Sequence, residues 1–309
     1  MLKLNLRMTA KVILLIGVIL FTVLPSAISE IQGSTDIMIY DHNVRYAAPL
    51  FKRTSKELPW SDRRKGVVNA IKLETTGHSA LVGLQETDLA QLQDILRGLN
   101  QDQPDDQKWT YFGRGRGDGK EKGEYSPVLY KKSDWKLITA TTKWLSLTPD
   151  KPSKYAGADK NRIVTIATFM HNKSGKVVNF LNTHLDHKSK AAREYSANLI
   201  LRYVKSLPNK YPTFLIGDFN SKESDEAYRI VSREMADSSK IAENLAGSEL
   251  NTFSGFGDKK MYSIDFIWSF NSTKCYSTIV PIYHAVVDNY MDNGFRFSDH
   301  RPIVARFLI

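Results

Sequence analysis

The run Thr213-Phe214-Leu215-Ile216-Gly217-Asp218-Phe219-Asn220 reads as a buried β-strand that ends in two polar side chains. Residues two apart on extended backbone share a face, so Asp218 and Asn220 project together while Phe219 turns into the core. A carboxylate beside an amide can orient a water molecule and hold an anionic oxygen. Taken alone, the same pair after a strand is also what an ordinary turn uses. The rest of the chain decides between these readings.

Outward from this run, the same punctuation recurs. Asn43 follows Ile37-Met38-Ile39-Tyr40, Glu86 follows Leu81-Val82-Gly83-Leu84-Gln85, and His184 follows Asn179-Phe180-Leu181-Asn182-Thr183. Strands are predicted over Ile37–Tyr40, Ala80–Leu84, Val128–Tyr130, Ile163–Phe169, Val177–Asn182, Thr213–Ile216, Ile264–Phe270 and Ile303–Ile309, where β-branched and aromatic residues cluster between turn residues. Apolar residues returning every three or four positions predict helices over Arg63–Leu73, Asp88–Leu99, Ser189–Val204 and Asp225–Met235. Helices alternate with strands, yet some strands follow one another directly. This pattern argues for an α/β fold with mixed sheets and helices outside. Ligands collect where the carboxyl ends of such strands converge, which is where the polar residues stand.

Further acids and imidazoles have no evident folding purpose. Glu86 lies between a strand and a helix, where a hard carboxylate oxygen can bind Mg²⁺, although an acid at a helix start also suits the helix dipole. In Ser298-Asp299-His300-Arg301-Pro302, successive side chains diverge, so Asp299 is free to act at a metal and the acid that orients His300 must come from elsewhere. Asp265, inside the apolar Ser263-Ile264-Asp265-Phe266-Ile267-Trp268, supplies it. An unpaired carboxylate there would be costly, and pairing with His300 removes the cost while raising the imidazole's basicity. Asn182-Thr183-His184-Leu185-Asp186-His187 ends a strand and has no third clear ligand nearby, so His184 suits a phosphate oxygen better than zinc.

Taken in order, Asn43-Val44-Arg45-Tyr46, Gly83-Leu84-Gln85-Glu86, Asn182-Thr183-His184, Gly217-Asp218-Phe219-Asn220, Ile264-Asp265-Phe266-Ile267 and Ser298-Asp299-His300-Arg301-Pro302 resemble the endonuclease/exonuclease/phosphatase superfamily, of which pancreatic deoxyribonuclease is a member. The resemblance spans nearly all of residues 30–309. It implies a four-layer α/β/β/α sandwich of two mixed sheets, and a divalent-metal-dependent hydrolase of phosphate esters that uses Mg²⁺ or Mn²⁺. Asn43 and Glu86 would bind the metal, with Asp299 sharing it. Asp218 and Asn220 would align or deprotonate the attacking water, His184 would hold a phosphate oxygen, and His300 with Asp265 would stabilise charge on phosphorus or assist proton transfer. The family's first motif usually reads Thr-Tyr-Asn or Thr-Phe-Asn, whereas here Tyr40-Asp41-His42-Asn43 intervenes. A bulge placing Asp41 in the pocket would therefore shift the ligand set.

The run Gly113 to Lys120, then Gly123 to Pro127, with His184, His187 and Arg193, further resembles a secreted microbial branch of poorly defined substrate. The glycine-rich run lacks the Gly-Lys-Ser/Thr ending of a P-loop, and reads as a mobile loop from which Arg114, Arg116 or Lys120 can touch substrate. Tyr125 and Arg45 lie beside the family motifs and are candidate substrate-binding residues.

Lys3, Arg7 and Lys11 precede the apolar run Val12 to Leu24, and Ala27 with Ser29 gives a small-x-small pattern. Residues 1–29 are expected to be a signal peptide cleaved before Glu30, or an uncleaved anchor. Cleavage leaves no membrane span and a secreted, extracellular protein. Asn172-Lys173-Ser174 and Asn271-Ser272-Thr273 are glycosylation triplets that matter only in a secretory compartment. Cys275 stands alone, which rules out an intramolecular disulfide and a thiolate zinc cluster. Among 309 residues, 42% hydrophobic and 25% charged, no linker, charge shift or long repeat marks a boundary, so residues 30–309 read as one domain. Losing three basic residues and no acid with the signal takes the formal charge from +10 to +7. That balance favours anionic partners such as phosphates, nucleic acid, acidic lipid or cell-wall polyanions without choosing among them, and among enzymes it favours a nuclease only slightly. No obligate protein partner is implied. The competing reading is a catalytically idle phosphate- or polyanion-binding protein on the same fold. The complete set of catalytic residue types speaks against it.

Overall fold

Along β1 (Asp36–Asn43), Ile37 and Ile39 turn to one side and Met38 and Tyr40 to the other, and all four are buried. A strand apolar on both faces must lie between two covering layers. The computed structural model describes residues 33–207, 211–257, 261–270 and 279–309, and Thr35–Ile309 form one compact unit. After β1 come α1 (Trp60–Thr75), β2 (Ser79–Gln85), α2 (Leu89–Asn100), β3 (Trp109–Phe112), β4 (Val128–Lys131), β5 (Trp135–Trp144), β6 (Ile163–His171) and β7 (Val177–His184). Then follow α3 (Lys190–Ser206), β8 (Thr213–Asp218), α4 (Glu226–Ser232), β9 (Met235–Asp237), α5 (Ser238–Ile241), β10 (Asn244–Ala246), β11 (Asp265–Phe270), β12 (Val280–Val286) and β13 (Ile303–Leu308).

The strands form two sheets, ordered β10-β12-β13-β1-β2-β4-β3 and β5-β6-β7-β8-β11-β9. Each mixes parallel pairs (β1 with β2, β7 with β8) and antiparallel ones. Ile37, Ile39, Leu81 and Phe307 of the first sheet meet Phe169, Phe180, Phe214 and Ile267 of the second. Burying each of these side chains contributes roughly 1.5–3 kcal/mol. On the outer face of the first sheet, Met38, Tyr40 and Val82 pack on Val67 and Ile71 of α1 and on Leu92 and Ile95 of α2. On the other side, Val164, Leu181, Leu215 and Trp268 pack on Ile200 of α3 and on Tyr228 and Val231 of α4. The order helix, sheet, sheet, helix is the four-layer α/β/β/α sandwich expected.

Several boundaries differ from the sequence reading. Helix α1 starts at Trp60, directly after Pro59, rather than at Arg63, and runs to Thr75. The helix expected to reach Met235 stops at Ser232, and Met235 instead opens β9, which pairs with β11. Strand β5 has no apolar signature in the sequence because it lies at a sheet edge, and its exposed Lys and Thr residues break the apolar pattern. Among the described residues, no helix is long and apolar enough to cross a membrane. The expected signal, residues 1–29, lies outside the described residues, as do Asn271 and Cys275. Asn172 is exposed, and its amide donates to the carbonyls of Lys132 and Ser133, 2.8 Å each.

Parallel pairing brings strand ends to one edge. Asn43 lies opposite Gln85 and His184 opposite Asp218, while antiparallel β11 begins there with Asp265 opposite Asp218. Gly217 makes the close approach of β8 to β7 possible. It has φ +141°, and a Cβ there would sit 1.9 Å from the Thr183 carbonyl oxygen. Any side chain at 217 would therefore push Asp218 away from His184.

Candidate active site

Strand ends of both sheets open into a cavity of about 440 Å³ lined by Arg45, Glu86, His184, Asp218, Asn220, Asp299 and His300, among others. Three of these residues, Arg45, Glu86 and Asn220, adopt left-handed backbone, with φ of 59°, 60° and 47°. Such conformations cost non-glycine residues energy and persist only where surrounding contacts fix them. The contacts are present. Helix α2 begins with a capping box in which Asp88 accepts from the Gln91 N–H at 2.8 Å, and Gln91 then donates to the Arg45 carbonyl and accepts from the Ala47 N–H, 3.0 Å each. Glu86, just ahead of that cap, accepts from the Tyr46 N–H at 3.1 Å.

His300 Nδ1 lies 2.9 Å from Asp265 Oδ2, the pairing inferred from the sequence, and Thr252 Oγ1 donates to the same carboxylate at 2.5 Å. On its open side, His300 Nε2 is 3.7 Å from Asp218 Oδ2, and His184 Nε2 is 3.3 Å from that atom. The two imidazoles differ in charge state. Burial alone would lower His300, but Asp265 and Asp218 outweigh it and hold the ring well above the usual histidine range. Burial, reinforced by Arg162 and Arg116, pushes His184 well below that range and keeps it neutral. Burial and the nearby Asp265 raise Asp218 to about 7, against the lowering influence of His300.

Asp218 and Asn220 do line one pocket while Phe219 is buried in the core, though not for the reason of extended alternation. The backbone turns left-handed at Asn220, whose N–H donates to Asp218 Oδ1 at 2.8 Å and whose amide donates to the Leu185 carbonyl at 3.1 Å. Asn43 is fully buried beneath the cavity. Its Nδ2 donates to Glu86 at 3.1 Å and to Asp218 at 3.0 Å, and its Oδ1 accepts from the Arg45 N–H. As placed, it holds two carboxylates together. Asp41 pairs in regular register with Ile303 and Gly83, so no bulge brings it into the pocket. It is buried against Gln85, whose amide also donates to Asn182 Oδ1, and burial raises its carboxyl well above the usual range.

Tyr125 corrects the sequence reading. It is 3% exposed, does not line the cavity, and donates its hydroxyl to the Lys120 carbonyl at 3.0 Å. Its bulky ring is core material, packed with the layer outside the first sheet. The glycine-rich run is likewise a hydrogen-bonded hairpin rather than a loose loop, with Gly117 donating to Lys122, Arg116 to Glu124 and Gly119 to Gly115. Of its three basic candidates only Arg116 lines the cavity, while Arg114 donates to the Gly119 carbonyl.

Glu86 and Asp299 fit a hard divalent cation. Both are carboxylates lining the cavity, and Arg45 reaches each at 4.0 Å. Buried Asp299 Oδ1 has no hydrogen-bond partner among the described residues. Burial raises the Asp299 carboxyl, whereas at Glu86 Arg45 and the Asn43 amide overcome burial and lower it. The closely placed Asp218, Asp265 and His300 form a second acid–imidazole group, already committed to one another.

Residues that act through others carry no local mark in the sequence. Arg63, fully buried, donates to the carbonyls of Val44, Arg45, Tyr46, Leu58 and Phe297 and thereby holds the loop after β1. Asn289 donates to the carbonyls of Ser298 and His300, and Ser298 Oγ donates to the Asn43 carbonyl at 2.6 Å. An arginine on a helix usually reads as a solvated face, so nothing local marks Arg63 as buried.

A family model described as endonuclease/exonuclease/phosphatase family matches residues 42–300. No curated protein sequence matches the chain significantly. Among solved structures, an endonuclease/exonuclease/phosphatase family protein from Bacteroides thetaiotaomicron is 27% identical, with a TM-score of 0.78 and coverage of 89% of this chain and 98% of the other. One from Bacteroides vulgatus is 29% identical, with a TM-score of 0.77 and coverage of 88% and 98%. A mannosyl-6-phosphatase of Bacteroides thetaiotaomicron is 27% identical, with a TM-score of 0.77 and coverage of 88% and 100%.

Proposed function

The chain belongs to the endonuclease/exonuclease/phosphatase family, and we propose that it is a divalent-metal-dependent hydrolase of phosphate esters acting outside the cell. One observation carries the reading: Glu86, Asp299, Asp218, His184 and His300, from distant parts of the chain and from both sheets, share one cavity, with Asp265 bonded behind His300. A folding role does not require so many buried ionisable groups to converge.

Glu86 and Asp299 would hold Mg²⁺ or Mn²⁺, which when bound neutralises charge on the phosphate and its leaving oxygen. Asp218, raised to about 7, is placed to take a proton from water near neutral pH. Asn220 fixes the orientation of Asp218 through its N–H. His300, held cationic by Asp265, presents Nε2 to the cavity, where an N–H can stabilise negative charge gathering on the phosphate oxygens. Neutral His184 offers a further contact to a phosphate oxygen. Arg45 adds positive charge at the cavity wall.

Incubated with Mg²⁺ or Mn²⁺, the purified protein is expected to turn over at least one member of a panel of phosphate monoesters, phosphodiesters and nucleic acids. EDTA should abolish the activity and added metal restore it. A protein with folded circular dichroism that turns over none of them overturns the proposal. The basic, apolar and small-residue pattern of residues 1–29 supports export. N-terminal sequencing of the exported protein is expected to begin at Glu30, and a chain still beginning at Met1 removes the cleavage claim.

A further inference from the structure

Part of the cavity wall takes no role in the chemistry above. Arg116 and Glu124 reach it from the glycine hairpin, Asp159, Lys160 and Arg162 from the segment before β6, and His187 from the turn after β7. We propose that this wall is a subsite for the alcohol portion of a phosphate monoester, and that this portion is a polyhydroxylated group of monosaccharide size. The inference rests on the phosphoesterase reading and names its substrate class.

The first support is an unmet donor. Arg162 is only 6% exposed, yet its Nε has no hydrogen-bond partner among the described residues. One of its amino groups lies 3.2 Å from His187 Nδ1, and the Asp186 carboxylate is 3.8 Å from Nε. Nε itself is closed off beside Asp186, but the guanidinium lines the cavity and its one hydrogen bond among the described residues is to His187, so its remaining amino N–H groups are available to a ligand oxygen. The second support is the chemistry of the wall. Hydroxyl groups both donate and accept, and the wall presents ion pairs whose partners do each: Arg116 donates to Glu124 at 2.5 Å and Lys188 to Asp159 at 2.8 Å, and each carboxylate keeps further lone pairs and each cation further N–H groups. Neighbouring sugar hydroxyls can satisfy one of each.

The same mixture disfavours a nucleic-acid backbone, whose phosphates would meet Glu124 and Asp159. Among the described residues, the aromatic rings lining the cavity are already engaged: Arg45 lies 4.5 Å from the Tyr46 ring centre. Tyr262 is stacked on Phe253 with centroids 4.9 Å apart, and Lys222 Nζ lies 4.8 Å from the Tyr262 ring centre. A cavity of about 440 Å³ suits a small molecule. The subsite is also held in place before any ligand arrives. The Arg116 carbonyl accepts from Trp144 Nε1 at 2.8 Å and from the Asn161 amide at 3.2 Å. The hairpin is tight because Gly115 has no Cβ, which would sit 2.4 Å from the Lys122 carbonyl oxygen. The glycine-rich run thus serves to carry Arg116 and Glu124 into the pocket.

The test compares kcat/KM for mannose 6-phosphate with that for p-nitrophenyl phosphate, which has the phosphate but no hydroxyls. Wild-type protein is expected to prefer the sugar phosphate. Glu124→Gln keeps the side-chain shape and is expected to lower that preference by about 10- to 100-fold, mostly through KM. His187→Ala, at a half-exposed position where folding is safe, is expected to shift it in the same direction. A wild type that favours p-nitrophenyl phosphate or a 5′-phosphorylated oligonucleotide, or variants that leave the preference within about twofold, overturns the subsite. Turnover of neither substrate counts against the hydrolase reading instead. Calorimetric titration with mannose 6-phosphate then decides: binding lost in Glu124→Gln upholds the subsite, and absent or unchanged binding removes it.

Discussion

Asp218→Asn is expected to reduce kcat on any accepted phosphate ester by about a thousandfold, the usual scale for removing a positioned general base. The substitution keeps the shape and the hydrogen bond from the Asn220 N–H. It takes away the carboxylate that lies 3.3 Å from His184 and 3.7 Å from His300. It also places an amide against the Asn43 Nδ2 group, which now donates to Asp218 Oδ2 at 3.0 Å. Binding of substrate should suffer less than turnover, so the loss belongs in kcat rather than in KM. His300→Ala should cost a comparable factor by removing the cation that faces the phosphate. Because both groups serve one transition state, the double variant should be far less impaired than the product of the two losses. Activity within threefold of wild type in Asp218→Asn would remove this residue from the chemistry. Phosphate ester bound but never turned over, in wild type and variants alike, would favour the idle binder.

The second large effect falls on stability. Arg63→Met is expected to destabilise the fold by about 3–5 kcal/mol, read as a lower denaturation midpoint at unchanged slope. The Arg63 guanidinium is fully buried and donates to five backbone carbonyls, at distances from 2.8 to 3.2 Å. Methionine replaces the length of the side chain but none of the donors, so buried carbonyls of Val44 and Phe297 are left unmet. Arg63→Lys should recover only part of the loss, because an ammonium has three donors and no planar fork. The same loop carries Arg45 and the Tyr46 N–H that binds Glu86. Activity should therefore fall in Arg63→Lys even at temperatures where the protein remains folded. A midpoint for Arg63→Met equivalent to less than about 1 kcal/mol of loss would show that water replaces the guanidinium without cost.

Most of the architecture was legible in the chain because it follows from short-range patterns. The strand ending at Asp218 is apolar on both faces, which requires cover on each side, and the ordered polar words mark the ends of strands. Asp265 in an apolar strand demanded a partner, and His300 was a suitable one. Less legible were residues whose surroundings come from elsewhere in the chain. Tyr125 lies beside the motifs yet points into the core, and Asp41, two residues before Asn43 on β1, is buried against Gln85. The edge strand β5 and the end of α4 depend on sheet pairing rather than on local pattern.

The sequence by itself determined an α/β fold of mixed sheets with helices outside and the set of acids, amides and imidazoles available for chemistry, because periodicity is written locally; the four layers and the family followed from the resemblance its ordered motifs carry. Only the tertiary structure decided how those groups face one another. It made His300 cationic and His184 neutral, buried Arg63 under the loop after β1, and turned the glycine-rich run into a hairpin that brings Arg116 and Glu124 to the cavity. Charge state and access are set by through-space neighbours and by burial, and residues far apart in the chain supply both.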